Sequence, residues 1–291
     1  MMLRDNPGGT MEQRTASIRG IDLVYDYRAG SGTPILFLHG TTATARTFDD
    51  VIDAVPEDRP LHNLDLRGHG RSGWSDSADY LIEDHVEDIR QFLADVTGPA
   101  VIVGWSLGAL TAILVAGLDP HMVKGILSAD VTPYTAETAQ RYIDVPTRDA
   151  VLSLAEVVRA LPDRDLEWAI ETFGEYEISG IKMRDAMTAD YMRAYLDEAS
   201  HMDPDVPGSQ LSAPLSYDID AVLGQIQCPI RLVRGNRDLG SVVTEEDSER
   251  ARAYIGDFEE RYEPRVGHAV HRHPVHEAFG ADIQSMAALV P

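Results

Sequence analysis

Short, continuous runs of apolar residues constrain the fold of this chain more than any other feature of the sequence. Ile35–Leu38 and residues 101–103 contain no polar residue, and strands of this composition are usually covered on both faces. Between them lie residues 81–96, whose apolar positions recur at helical spacing. This alternation of strand and helix predicts an α/β fold in which helices flank a mostly parallel sheet.

The same patterns predict most of the other elements. Further strands are expected at residues 21–27, 61–66, 123–129, 230–234 and 258–262, and further helices at residues 48–55, 107–118, 244–255 and 274–289. Residues 1–19 combine charges with a proline and a glycine pair, and we expect them to form a frayed lead-in.

Residues 132–227 differ from the rest of the chain. They have helical periodicity interrupted repeatedly by proline, and no buried strand is expected among them. The simplest division is a core domain of residues 1–132 and 228–291, with a helical cap of residues 133–227 inserted into it.

The charge of the chain limits its partners. A formal net charge of -23 at pH 7 repels nucleic acid and anionic membrane surfaces. No apolar run of about 18 residues is present, so no membrane-spanning helix is expected. The single cysteine, Cys228, cannot form an intramolecular disulfide and fits a reducing compartment. We therefore expect a cytoplasmic monomer or homodimer that acts on a small molecule.

A G-x-S-x-G motif lies between a buried strand and a helix of small residues. Its members are Gly104, Trp105, Ser106, Leu107 and Gly108. In this context the serine sits on a strained turn above the sheet, and the two glycines let neighbouring backbone approach. The start of the following helix offers N–H groups to a developing oxyanion. Ser106 is therefore the candidate nucleophile.

With this motif, four others occur in the order found in the α/β-hydrolase family, which the chain resembles. They are His39-Gly40, Asp65-Leu-Arg-Gly-His-Gly-Arg-Ser72, Gly235-Asn-Arg-Asp238 and Val266-Gly-His268. The resemblance implies an α/β-hydrolase sheet of the eight-stranded type with an inserted helical cap. It also implies an oxyanion hole made by the backbone N–H groups of Thr41 and Leu107, and neither metal nor cofactor. The turn that contains His69 is expected to be structural.

The resemblance further implies the acid and the base. The family places its triad in the order Ser, acid, His, which makes Asp238 the expected acid and His268 the expected general base. Asp130 ends the strand at residues 123–129, where some family members carry the acid; otherwise it lines the pocket or caps the turn. Four histidines have spacings that also occur in metal sites, but without a matched carboxylate pattern they are expected to be solvated or capping; these are His268, His271, His273 and His276.

The function that these residues favour is cleavage of a carboxylic ester or lactone through an acyl-enzyme. Because no cluster of Lys and Arg is present, the substrate is expected to be small, neutral and largely apolar. Candidate substrate-binding residues are Trp105, Thr42 and Asp130. Trp105 either packs against the acyl chain or fills the elbow, and a hydroxyl of Thr41 or Thr42 is either a third oxyanion donor or solvated.

Alternatives remain for both the reaction and the cap. The serine excludes haloalkane dehalogenases and epoxide hydrolases, which need an aspartate nucleophile. The same triad also serves carbon–carbon bond hydrolysis, acyl transfer, cofactor-free haloperoxidase and lyase reactions, and some family members are receptors without turnover. Aromatic and methionine residues of the cap are more typical of its core than of a pocket wall; they are Trp168, Phe173, Tyr176, Met183, Met187, Tyr191, Met192 and Tyr195.

Overall fold

The computed structural model describes residues 11–132, 146–178, 181–210 and 215–290. The strands in this part of the chain are β1 (Glu12–Ile18), β2 (Ile21–Arg28), β3 (Ile35–Leu38), β4 (Leu61–Leu64), β5 (Ala100–Trp105), β6 (Val123–Ala129), β7 (Glu177–Ile178), β8 (Ile181–Lys182), β9 (Ile230–Gly235) and β10 (Phe258–Glu263). Eight of them form one sheet in the order β1-β2-β4-β3-β5-β6-β9-β10, and β7 and β8 form a separate hairpin.

The sheet is mostly parallel, as predicted. Strands β4, β3, β5, β6, β9 and β10 run parallel to one another, whereas β2 pairs antiparallel with both β4 and β1 at one edge. Every residue of β3 and β5 is buried, in agreement with their apolar composition. The carboxyl ends of β3, β5, β6 and β9 meet at one edge of the sheet, which is where α/β folds place their ligand sites.

The first strand corrects the expectation of a frayed lead-in. Glu12–Ile18 pairs along its whole length with β2, from Glu12 opposite Tyr27 to Ile18 opposite Ile21. The two-residue turn between them is Arg19-Gly20, and both residues have positive φ, at 49° and 82°. Such a turn matches the twist of a hairpin. Because most residues of β1 are exposed, backbone pairing rather than burial holds this strand in the sheet.

Helices cover both faces of the sheet. They are α1 (Ile82–Phe92), α2 (Leu107–Leu118), α3 (Pro146–Ala160), α4 (Leu166–Gly174), α5 (Met183–Ala186), α6 (Ala189–Ala199), α7 (Val206–Gln210), α8 (Ile219–Leu223), α9 (Glu245–Tyr254) and α10 (His276–Leu289). The apolar faces of α1 and α2 pack in one core cluster, and α10 packs in a second cluster with Phe37 and Phe48. The helix expected at residues 48–55 is instead a pair of short 3₁₀ turns, Ala45–Phe48 and Ile52–Ala54.

Where the structure describes them, residues 133–227 are mostly helical and also contain the hairpin of β7 and β8. Residues 133–145, 179–180 and 211–214 lie outside the described ranges. Helices α3, α4 and α6 share a small apolar core, which includes seven of the aromatic and methionine residues named above. Helix α8 differs, because Ile219, Val222 and Leu223 join the main core beside α2. No helix in the described residues is long and apolar enough to span a bilayer.

Candidate active site

Ser106 lies on the turn between β5 and α2, where its motif predicts it. Its φ of 52° and ψ of −120° are strained for a residue with a side chain. The flanking glycines are required by close packing, since a Cβ on Gly104 would lie 2.6 Å from the Ala109 nitrogen and one on Gly108 would lie 2.0 Å from the Leu38 oxygen. Ser106 is thereby fixed at the carboxyl edge of the sheet. It is half-buried, and its neighbours Trp105 and Leu107 are buried.

His268 lies at the same edge and contacts a buried carboxylate. Its Nδ1 is 2.8 Å from Oδ2 of Asp130, which is fully buried at the end of β6. Three further donors bind this carboxylate: the N–H of Gly235 (2.8 Å) and the hydroxyl of Ser241 (2.6 Å) bind Oδ1, and the N–H of Val242 (2.9 Å) binds Oδ2. Each oxygen therefore has two partners, which compensates for burial of the charge.

The prediction that Asp238 is the partner of His268 is wrong in this structure. Asp238 lies in the exposed turn Arg237–Leu239, and its backbone N–H donates to the side chain of Asn236. The loop after β9 still contributes to the site, but through Ser241 and the backbone. Asp130 likewise does not line the pocket, because its side chain is buried beneath His268.

Trp105, which directly precedes Ser106, holds the loop that carries His268. Its indole N–H donates to the carbonyl of His268 (2.9 Å), and its ring lies 5.3 Å from that imidazole and 4.7 Å from the ring of His271. Only 5% of Trp105 is exposed. These contacts favour filling of the elbow over contact with an acyl chain.

The backbone N–H groups of Thr41 and Leu107 have no acceptor among the described residues. Their loops touch, since the N–H of Gly108 donates to the carbonyl of His39 (3.0 Å). His39 is neutral because burial lowers its pKa well below the ordinary value. Its Nε2 accepts from the N–H of Leu66 (2.9 Å), so Nδ1 carries the proton and donates to the Gly40 carbonyl (2.8 Å). That bond fixes the plane of the peptide that carries the Thr41 N–H.

The threonine side chains of this loop contact α6 and α7. The Thr41 hydroxyl donates to Oε1 of Gln210 in α7 (2.8 Å), so it is engaged there rather than solvated. The Thr42 side chain lies beside the phenol of Tyr195 in α6, and burial raises the pKa of that phenol to about 12. His69 binds the Thr41 carbonyl through Nε2 (2.6 Å) and is fully buried, which agrees with the expected structural role of its turn.

A buried ion pair joins α6 to the loop that follows β3 and to the loop that carries His268. Glu198 of α6 accepts from Nη2 of Arg272 (2.5 Å) and from the N–H of Thr44 (3.3 Å). Burial raises the pKa of Glu198, and the guanidinium of Arg272 opposes that rise. Arg272 also donates to the hydroxyl of Thr47. Sequence reasoning found neither this pair nor Gln210 and Ser241, because no local pattern marks contacts between residues so distant in the chain.

Of the histidines after His268, His271 is fully buried rather than solvated as expected, whereas His273 is exposed and its ring lies 5.7 Å from that of the half-buried His276. His271 is buried beside Phe48 and Phe279, with Nε2 3.0 Å from the hydroxyl of Thr47. Burial lowers the pKa of His271 well below its ordinary value. Among residues that the structure describes, no group of three potential ligands converges on a metal position.

Both the sequence and the fold of the chain are similar to those of known proteins. The model of the alpha/beta hydrolase family matches residues 35–281 of the chain. An esterase of Mycobacterium tuberculosis is 33% identical over 153 residues, which are 47% of this chain and 50% of that protein. A pimeloyl-[acyl-carrier protein] methyl ester esterase of Neisseria meningitidis is 28% identical over 205 residues, or 70% of this chain and 61% of the relative. The chain thus spans about half to three fifths of the length of these two relatives.

Solved structures of α/β hydrolases have a fold similar to that of this chain. The N-formylmaleamic acid deformylase of Pseudomonas putida S16 superposes with a TM-score of 0.70 at 18% identity, and the alignment covers 93% of this chain and all of that chain. At this identity the likeness concerns architecture alone.

Proposed function

Because the chain belongs to the α/β-hydrolase family, we propose that it is a serine hydrolase with the triad Ser106, His268 and Asp130. The observation that carries the proposal is the 2.8 Å contact between His268 Nδ1 and the buried Asp130, at the sheet edge where Ser106 occupies a strained turn. This assigns the acid to the end of β6 and leaves Asp238 outside the reaction.

The roles follow from the hydrogen bonds. With Nδ1 donating to Asp130, the other ring nitrogen of His268 is free to accept the Ser106 proton. The Ser106 oxygen then attacks the substrate carbonyl carbon, and the negative charge moves to the carbonyl oxygen. The N–H groups of Thr41 and Leu107, which lack other acceptors among the described residues, stabilise that oxyanion. His268 returns the proton to the leaving alcohol, and water repeats the cycle on the acyl-enzyme.

We propose a neutral carboxylic ester, or a lactone, of modest size as the substrate. The neutral Tyr195 phenol lies against the oxyanion loop. Arg272, the cation that contacts this region through Thr47, is already paired with Glu198, and Arg46 is paired with Asp197. In the described residues these cations therefore offer no unpaired charge to an anionic substrate. Two relatives are named esterases, which supports an ester over the other reactions open to this triad.

The location and partners are proposed on simpler grounds. Cys228 is buried and unpaired, which suits a reducing compartment such as the cytoplasm. The net charge of -23 disfavours nucleic acid and anionic membranes as partners.

The test is hydrolysis of p-nitrophenyl esters from acetate to dodecanoate by the wild type, Ser106→Ala and the control Ser285→Ala, which alters an exposed serine of α10. We expect turnover to peak at one chain length and to fall by on the order of 10⁴ or more in Ser106→Ala alone. Full activity of Ser106→Ala would overturn the proposal. Absence of turnover in a wild type that still reacts with a fluorophosphonate at Ser106 would redirect the search to lactones and carbon–carbon substrates.

A further inference from the structure

The loop between β9 and α9, residues 236–244, surrounds the buried face of Asp130. Its Ser241 hydroxyl and Val242 N–H bind the carboxylate, together with the N–H of Gly235 at the end of β9. Of the four donors, two are backbone groups and one is His268 itself. The Ser241 hydroxyl is therefore the side-chain donor to Asp130 that lies outside the proposed triad.

Ser241 is itself held in place from several sides. It is 2% exposed, its N–H donates to the carbonyl of Asn236 (3.0 Å), and its carbonyl accepts from Nη1 of Arg237 (2.5 Å). Its hydroxyl oxygen accepts from the N–H of Val243 (3.3 Å), which leaves the hydroxyl proton for Oδ1 of Asp130 at 2.6 Å. A hydroxyl fixed in this way is a preorganised donor to the carboxylate.

We infer that Ser241 is a positioning residue for the general base, and this inference rests on the triad of the proposed function. Its bond to Oδ1 stops the Asp130 carboxylate from rotating about its own axis. Oδ2 then stays in line with Nδ1 of His268, which fixes the tautomer that accepts the Ser106 proton. Ser241 acts through Asp130 and touches neither the substrate nor the reacting atoms.

Removal of the hydroxyl has two physical consequences. The carboxylate loses one of two restraints on Oδ1, so the imidazole is aligned for less of the time and kcat falls. The carboxylate charge is also less compensated, so it attracts the imidazolium form of His268 more strongly and the base stays protonated to higher pH. Among the described residues, the titratable groups recorded against His268 are Asp130 and His271, and burial keeps His271 neutral. The stronger attraction between Asp130 and the imidazolium of His268 therefore moves the acid limb of the pH–rate profile.

The experiment compares the pH dependence of p-nitrophenyl acetate hydrolysis by the wild type, Ser241→Ala, Ser241→Thr and the control Asp238→Asn. We expect kcat of Ser241→Ala to fall on the order of 10-fold with KM little changed, and its acid limb to move to higher pH. Ser241→Thr keeps the hydroxyl and should recover both kcat and the limb, and Asp238→Asn should match the wild type. If Ser241→Ala does not fold, Ser241→Cys keeps the volume with a weaker donor and should give the same changes in smaller measure.

Two results would overturn the inference. One is a Ser241→Ala profile identical to that of the wild type. The other is an equal loss at every pH with an unmoved acid limb, which is what simple loosening of the fold produces. Asp130→Asn in the same assay separates the two proposals: if it retains activity, the triad assignment fails, whereas an inactive Asp130→Asn beside an unaltered Ser241→Ala contradicts only the role of Ser241.

Discussion

Two loops at the carboxyl edge of the sheet each carry an aspartate, and the molecule uses them differently. Asp130 directly follows β6 and is fully buried, with four hydrogen-bond donors on its two oxygens. Asp238 follows β9 by three residues and is exposed. The comparison teaches that an aspartate after a strand is only a candidate, and that the donors converging on its carboxylate determine whether it can hold the histidine.

The backbone explains why the loops differ. Asp130 has a φ of 52°, which turns the chain immediately after β6 and directs the Asp130 side chain below the loop that carries Gly267 and His268. After β9 the backbones themselves are in contact, because a Cβ on Gly235 would lie 2.0 Å from the Gly267 oxygen. A Cβ on Gly267 would in turn lie 1.9 Å from the oxygen of Leu239. The backbone of the loop after β9 therefore supports the loop that carries His268, and Asp238 faces solvent.

The largest expected effect comes from exchanging each carboxylate for an amide. Asp130→Asn should lower kcat on p-nitrophenyl acetate by on the order of 10⁴, because the amide no longer selects the useful tautomer of His268. Asp238→Asn should stay within about twofold of the wild type, as surface substitutions usually do. Equal losses in both variants would mean that the two loops share the role, which the structure does not allow.

A second pair of variants tests the close backbone packing after β9. Gly235→Ala should destabilise the protein by at least about 3 kcal/mol and reduce activity with it, because its Cβ overlaps the Gly267 carbonyl. Gly240→Ala in the same loop meets no atom within 4 Å, although its φ of +95° makes a side chain unfavourable. We expect a cost of about 1–2 kcal/mol there. Urea unfolding of both variants measures the difference, and a Gly235→Ala protein as stable as Gly240→Ala would show that the loops are not in contact.

The smallest expected effect is a loss of stability at low pH, which the buried histidines cause. Burial lowers the pKa of five core histidines, His39, His62, His69, His85 and His271, and that of His62 falls to about 4. The unfolded chain then binds protons below about pH 6.5 that the folded chain does not. Stability is therefore full above that pH and falls as the pH drops toward 4.

For His62 alone, the unfolding free energy should decrease by about 2 kcal/mol between pH 7.5 and pH 5. Urea unfolding at these two values measures the decrease. His62→Phe, which places a third ring beside Tyr25 and Phe92, should reduce the decrease by that amount. An unchanged pH dependence in this variant would show that His62 titrates alike in both states.

The parts of the site that local patterns specify could be predicted from the sequence. A buried strand, a glycine-flanked serine and a small-residue helix specify the turn at Ser106 without any distant contact. The family resemblance, rather than a local pattern, predicted His268 on the loop after the strand that ends near Tyr262, and the structure has it on the loop after β10. The choice between Asp130 and Asp238 could not be made in this way, because both follow apolar strands and the deciding donors lie more than a hundred residues from Asp130. The sequence pattern did not indicate the Glu198–Arg272 pair either, because these two residues come together only in the folded chain.

The most direct test of the triad is the rate and position of fluorophosphonate labelling at pH 8, followed by peptide mass mapping in the wild type, Asp130→Asn and Asp238→Asn. This reagent reports on the activated serine whatever substrate the cap admits. We predict labelling at Ser106 in all proteins, at the wild-type rate in Asp238→Asn and far more slowly in Asp130→Asn. Fast labelling of Asp130→Asn with slow labelling of Asp238→Asn, or a label on another serine, would contradict the account.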